Sequence, residues 1–125
     1  MVSELARVEA EQRGILCVIR LHGEVDISND REVLSAIEMA VPHSALRLIV
    51  DLTHTTYLDS AGLALLMRLA ERLQARRQQM LIVSPPGSPV HTVLELTGLP
   101  SVVPLKARLE DAVRESEQGV RDDGT

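Results

Sequence analysis

The sequence predicts an α/β domain, a mixed and mainly parallel sheet of roughly four to five strands covered by about four helices. Three observations carry this. The apolar pattern changes period repeatedly along the chain, from short β-branched runs to helical stripes and back. The run Leu46-Arg47-Leu48-Ile49-Val50-Asp51-Leu52 is apolar on both faces, as a strand inside a parallel sheet is. A hairpin signal precedes the first helical stripe.

Taken in order, Glu4 to Ala10 and Ile15 to His22 read as two strands joined by the turn Glu11-Gln12-Arg13-Gly14. After Gly23-Glu24-Val25-Asp26, the pair Asn29 and Glu32 resembles a capping box. Val33, Leu34, Ile37 and Val41 then give a helical stripe that Pro42 ends. The Leu46–Leu52 strand leads into a polar loop, THTTYLDSAG, and from it into a second helix with Leu63, Leu66, Met67, Ala70 and Leu73 at helical spacing. Met80 to Val83 is another strand, and Pro89 to Leu96 a short helix that Gly98 can cap. Val102 and Val103 read as a brief last strand. Lys106 to Arg114 reads as a terminal helix directing Leu109, Ala112 and Val113 to the core.

The chain of 125 residues fits one domain, expected over 1–114, with a polar tail over 115–125 expected to be disordered. With no Trp, no Phe and one Tyr, its core has to be built from Leu, Val, Ile and Ala. A formal net charge of -5 argues against nucleic-acid binding, which needs a basic face. The single cysteine, Cys17, lies in an apolar run and is expected to be a buried thiol. No apolar run approaches the ~20 residues of a bilayer span, so no membrane association is expected and the expected location is cytoplasmic.

The informative stretch is Val50-Asp51-Leu52-Thr53 through Tyr57-Leu58-Asp59-Ser60-Ala61-Gly62-Leu63, a strand, a polar loop and Asp-Ser at a helix start. It resembles the signature of the STAS domain of anti-sigma factor antagonists. Gly23-Glu24-Val25-Asp26 and Leu96-Thr97-Gly98-Leu99 resemble two further turns of that family, so the likeness covers most of the chain. The resemblance implies that Ser60 is the serine phosphorylated by an anti-sigma factor with kinase activity, and that a serine phosphatase acting on Ser60 restores it. It places Asp26, Asp59, Gly62 and Leu63 in or beside a partner-binding surface, to which Ala61 and Leu65 are added here. ATP belongs to the kinase, and no cofactor is expected for this chain. Ala61 stands where many members have a second Ser or Thr. The alternative is a STAS scaffold or accessory subunit of a signalling or lipid-transport assembly in which Ser60 is never phosphorylated.

Independently of family, a serine at a helix start can cap a backbone N–H through its hydroxyl. It is also a place where added phosphate is tolerated by the helix dipole and free N–H groups. Asp26 reads either as a turn cap or as a group facing a basic partner side chain. Leu65 and Leu69 lie off the Leu63-Leu66-Ala70-Leu73 stripe. Either one of them faces a partner or the helix is sandwiched in a broad core. An enzyme is not expected: Leu58 replaces the first glycine of a nucleophile elbow, and none of His22, His43, His54 or His91 stands out as a base. Metal-ligand spacing and nucleotide-binding glycine loops are likewise missing from the sequence. The sequence leaves the oligomeric state open.

Overall fold

A computed structural model of the chain describes residues 5–123. Strands β1 (Ala6–Arg13) and β2 (Leu16–Val25) form the opening antiparallel hairpin. They are followed by α1 (Asp30–Ala40), β3 (Arg47–Asp51), β4 (Thr55–Leu58), α2 (Ser60–Ala75), β5 (Gln79–Val83) and α3 (Pro89–Leu96). A 3-10 turn (Leu99–Ser101), β6 (Leu105–Lys106) and α4 (Leu109–Asp123) complete the order. The sheet runs β1-β2-β3-β5-β6, with every pairing after the hairpin parallel.

The sheet has six strands, one more than the upper expectation, because the polar loop after Asp51 contains β4. Strand β2 is long enough to pair twice along one edge: Leu16–Arg20 with β3, then Gly23–Val25 with β4. Between them the chain leaves the sheet for Leu52-Thr53-His54. Asp51 turns it by accepting the Thr53 N–H through Oδ1 at 3.0 Å, and Thr55 rejoins by donating Oγ1 to the Leu21 carbonyl at 2.7 Å. Gly23 sits at φ 92° where β2 shifts register, and a Cβ there would lie 2.0 Å from the Leu5 carbonyl oxygen.

The two sheet faces differ. Cys17, Ile19 and Leu21 of β2 point into the larger core with α1, α2 and α3. Leu16 and Val18, with Ile49, Leu81 and Val83, lie under α4 through Leu109, Ala112 and Val113. Beyond α4 that face carries ion pairs, including Arg20 with Glu11 at 3.0 Å and Arg7 with Glu9 at 3.1 Å. Cys17 is wholly buried, and burial pushes its thiol pKa up. Helix α2 is the sandwiched element: Leu65, Leu66, Leu69, Ala70 and Leu73 are all buried. Burying a leucine contributes about 1.5–3 kcal/mol, so this helix is a main anchor of the core.

Other expectations are corrected by local chemistry. Asn29 occupies the N-cap position of α1 but makes no side-chain cap bond. Its amide instead donates to the Glu24 carbonyl at 2.8 Å and accepts the Asp26 N–H at 2.9 Å, tying the preceding loop. Val102 and Val103 are not a strand. Both N–H groups turn back to the Leu99 carbonyl after Gly98 adopts φ 77°, and the last strand forms two residues later. Helix α4 also extends past Arg114 to Asp123. Ser116 is buried and Glu115 pairs with Lys106 at 2.7 Å, within the stretch expected to be disordered; positions 124–125 of that stretch lie outside the described residues.

Candidate partner-docking site at the start of α2

Strands β2 and β4 end side by side, with Val25 opposite Leu58, so the two chain segments that follow emerge together. One leads through Asp26-Ile27-Ser28-Asn29 into α1; the other goes directly into α2. Asp59 joins them. Its Oδ1 accepts the Gly62 N–H at 3.0 Å as the α2 N-cap, and its Oδ2 accepts the Ile27 N–H at 3.2 Å. The Asp59 N–H reaches the Val25 carbonyl at 3.3 Å. A side chain at Gly62 would not fit this junction, because its Cβ would stand 2.6 Å from Leu58 Cδ1 and 3.1 Å from the Val25 oxygen.

With Asp59 as the cap, the capping role open to Ser60 is already filled. Ser60 is the first residue of α2, exposed, and its hydroxyl has no hydrogen-bond partner among the described residues. Ala61, half-buried, has no hydroxyl to share the position. Asp26 is half-buried and stays in its own loop, accepting the Ser28 N–H at 2.8 Å and the Ser28 hydroxyl at 2.5 Å. Those donations hold its carboxyl below the usual carboxylate range, the hydroxyl contributing most.

The structure therefore brings Asp26, Asp59, Ser60 and Ala61 to one end of the sheet. Two of the expected surface positions do not present side chains there. Leu65 is 1% exposed and packs in the core, and Gly62 is buried against Leu58. Leu63 is half-buried against the core. Conversely, Ile27 is 81% exposed and Tyr57 49% exposed, both flanking the Asp59-Ser60 turn. Sequence reasoning passed over both. The signal was there in Ile27, a large apolar residue inside a polar turn, GEVDISND.

One Ser–His–acid arrangement exists elsewhere. Ser84 Oγ lies 2.7 Å from His91 Nδ1, and His91 Nε2 lies 3.3 Å from Glu95. Ser84 is 0% exposed, so its oxygen cannot reach a substrate carbonyl, and the group fixes α3 on β5 instead of forming a nucleophile.

A model of the STAS domain matches residues 7–112. The chain belongs to the STAS domain family. Among similar proteins, an anti-sigma-B factor antagonist of Listeria monocytogenes is 29% identical over 84 residues, covering 67% of this STAS chain and 73% of that protein. The crystal structure of an anti-sigma factor antagonist from Mycobacterium paratuberculosis matches with a TM-score of 0.79 at 25% identity, over 92% of this chain and 97% of that one. The Bacillus cell fate determinant SpoIIAA in its phosphorylated form matches with a TM-score of 0.64 at 22% identity, over 88% and 99%. The unphosphorylated form of SpoIIAA gives a TM-score of 0.70 at 21% identity, over 90% and 97%. The last two share the STAS fold. No helix among the described residues is long and apolar enough to cross a membrane.

Proposed function

We propose that this STAS domain is an anti-sigma factor antagonist, a binding protein and not an enzyme. In this reading its unphosphorylated form docks on an anti-sigma factor through the surface around Ser60 and so frees a sigma factor. Phosphorylation of Ser60 by that partner, a serine kinase, ends docking, and a phosphatase restores it; the exchange takes place in the cytoplasm. The family and the names of its relatives support the class of partner. The observation that supports the switch is the division of labour between neighbours: Asp59 caps α2, leaving the exposed Ser60 hydroxyl unengaged.

The physics of such a switch is local. A phosphate adds about -1.5 to -2 charge beside the carboxylates Asp59 and Asp26. Ser60 and Ala61 hold N–H groups at the helix start with no acceptor among the described residues, and the helix dipole favours an anion there. The modified domain therefore keeps its fold while its docking surface gains charge and bulk. Ile27 and Tyr57 supply the apolar contact that a partner would cover.

Incubation with a cognate anti-sigma kinase and ATP, followed by mass spectrometry, should show one added phosphate on the parent and none on Ser60→Ala. Titration of the unmodified and phosphorylated forms against the same partner should show a loss of affinity of about a hundredfold or more. Phosphate on the Ala variant, or equal affinity of the two forms, would overturn the switch. Absence of phosphate with every cognate kinase would instead favour a scaffold role.

A further inference from the structure

The chain carries a net charge of -5, yet residues 60–77, α2 and the two positions after it, hold four arginines and a single acid, Glu71. Apolar residues bury one side of this helix, so Arg68, Arg72, Arg76 and Arg77 are all exposed on the other. Arg72 pairs with Glu38 of α1. That pair shows which flank of each helix faces its neighbour. Both helices start where β2 and β4 end side by side, so they run in the same direction. Arg31 precedes Glu38 by seven residues, about two turns, and therefore stands on the same flank of α1, nearer the Ser60 end. Arg68 precedes Arg72 by about one turn in that direction. Arg31 and Arg68 thus border one groove between α1 and α2, and both are exposed.

Exposed arginines elsewhere in the chain have a carboxylate at hand: Arg7 has Glu9, Arg13 has Glu11, and Arg108 and Arg114 share Asp111. Arg31 and Arg68 have no ion pair among the described residues. The acids nearest them in sequence point elsewhere. Glu71 lies about 60° round α2 from Arg68, and Glu32 about 100° round α1 from Arg31. Asp30, half-buried, lies as far round on the other side. The two carboxylates closest to Ser60 are turned inward to their own loops, Asp59 onto the Gly62 and Ile27 N–H groups and Asp26 onto Ser28. What this flank leaves open to a partner is cationic.

We propose that the docking partner lays an acidic segment along this flank, its carboxylates received by Arg31 and Arg68. The inference rests on the reading of the Ser60 surface as the docking site and names the chemistry of what docks there. A guanidinium takes a carboxylate through two parallel N–H donors, so the pair sets the register of the segment as well as attracting it. A basic flank on an otherwise acidic domain also turns an approaching acidic partner toward the Ser60 end. Phosphate on Ser60 then meets that segment as a like charge, and release needs no change of fold.

The test follows association of the unmodified full chain with the anti-sigma factor that phosphorylates Ser60, by stopped flow and titration at about 50 and about 500 mM salt. The parent's association rate should fall about tenfold between the two. Arg68→Glu and Arg31→Glu should each raise Kd about tenfold at the lower salt and flatten the salt dependence, and the double variant should raise it about a hundredfold. Arg68→Lys keeps the charge but not the fork and should cost about two- to threefold. Arg114→Glu, on α4, should stay within about twofold of the parent. Reversal variants that bind like the parent, while phosphate on Ser60 still ends docking, would overturn this inference and leave the switch standing. Reversals that weaken a docking indifferent to phosphate would support the acidic segment and overturn the switch. Binding of phosphatidylserine–phosphatidylcholine vesicles that Arg68→Glu abolishes would assign the flank to a membrane instead. Failure of the parent to dock on any such factor would remove both readings.

Discussion

The two ends of α2 solve one problem with different chemistry. At each end a single polar side chain ties α2 to the segment flanking α1: Asp59 reaches the Ile27 N–H at the start, and Gln78 reaches the Pro42 and Ala45 carbonyls past the end. Asp59 is half-buried and does its work with a charge that water still reaches. Gln78 is buried and uses a neutral amide, the group that costs less to desolvate. The accessible end can therefore accept a change of charge, whereas the buried end cannot. The two ends lie about 24 Å apart along the helix, with the exposed Ser60 at one and the buried Gln78 past the other.

The sharpest way to break the comparison is at the buried end. Gln78→Ala leaves the Ala45 carbonyl without its donor, a loss worth about 1–3 kcal/mol less whatever water recovers, and takes the longer of two bonds from the Pro42 carbonyl, which still accepts the Ala45 N–H. The expected cost is about 2 kcal/mol, read by urea or thermal unfolding. Asp59→Ala at the accessible end removes one cap bond and the Ile27 tether, and should cost only about 1 kcal/mol, since N-cap losses are of that size. It should also increase hydrogen exchange at Gly62 and Ile27. If the two variants lose equal stability, burial is not what separates the ends.

A smaller effect of opposite sign tests the end of the helix itself. The Gln78 N–H bonds the Leu73 carbonyl at 2.8 Å and Arg77 bonds Gln74 at 3.0 Å, a Schellman closure with Arg77 in the left-handed position at φ 60°. Glycine is the usual occupant, since a side chain there costs about 1 kcal/mol. Arg77→Gly should therefore raise stability by about 0.5–1 kcal/mol, measured as an increased Tm.

These cases show what was legible in the sequence. Helix α3 occupies Pro89–Leu96 as read, since proline at its first position and glycine after its end mark both limits. Strand β3 is the strand read over Leu46–Leu52 less one residue at each end. The end of α2 was not marked, because arginine stands where glycine would have signalled it. Strand β4 was hidden because Thr55-Thr56-Tyr57 reads as polar loop, and only pairing with the far half of β2, set by the Gly23 register shift, makes it a strand. Leu65 was misplaced because helical periodicity identifies one apolar stripe but not how many layers pack on a helix. At the site, Asp-Ser-x-Gly was legible as a helix start, but whether Asp59 or Ser60 caps it depends on φ, ψ and the reach of one carboxylate. Exposure of Ile27 and Tyr57 depends on how two strand ends meet, which no local pattern encodes.

The smallest effect concerns Asp26, the other carboxylate of the accessible end. Its pKa is held down mainly by the Ser28 hydroxyl and then by the Ser28 N–H, so the folded domain binds that proton less readily than the unfolded chain. The sign follows. The stabilisation is present above the ordinary carboxylate value of about 3.9 and is lost as pH falls through the lower folded value. Ser28→Ala removes the largest cause and should move the Asp26 carboxyl resonance to titrate nearer that ordinary value. Asp26→Asn should match the parent's pH dependence near neutrality and lose part of it only below about pH 4. A Ser28→Ala protein whose Asp26 titrates as in the parent would show that the loop backbone, not the hydroxyl, sets the charge beside Ser60.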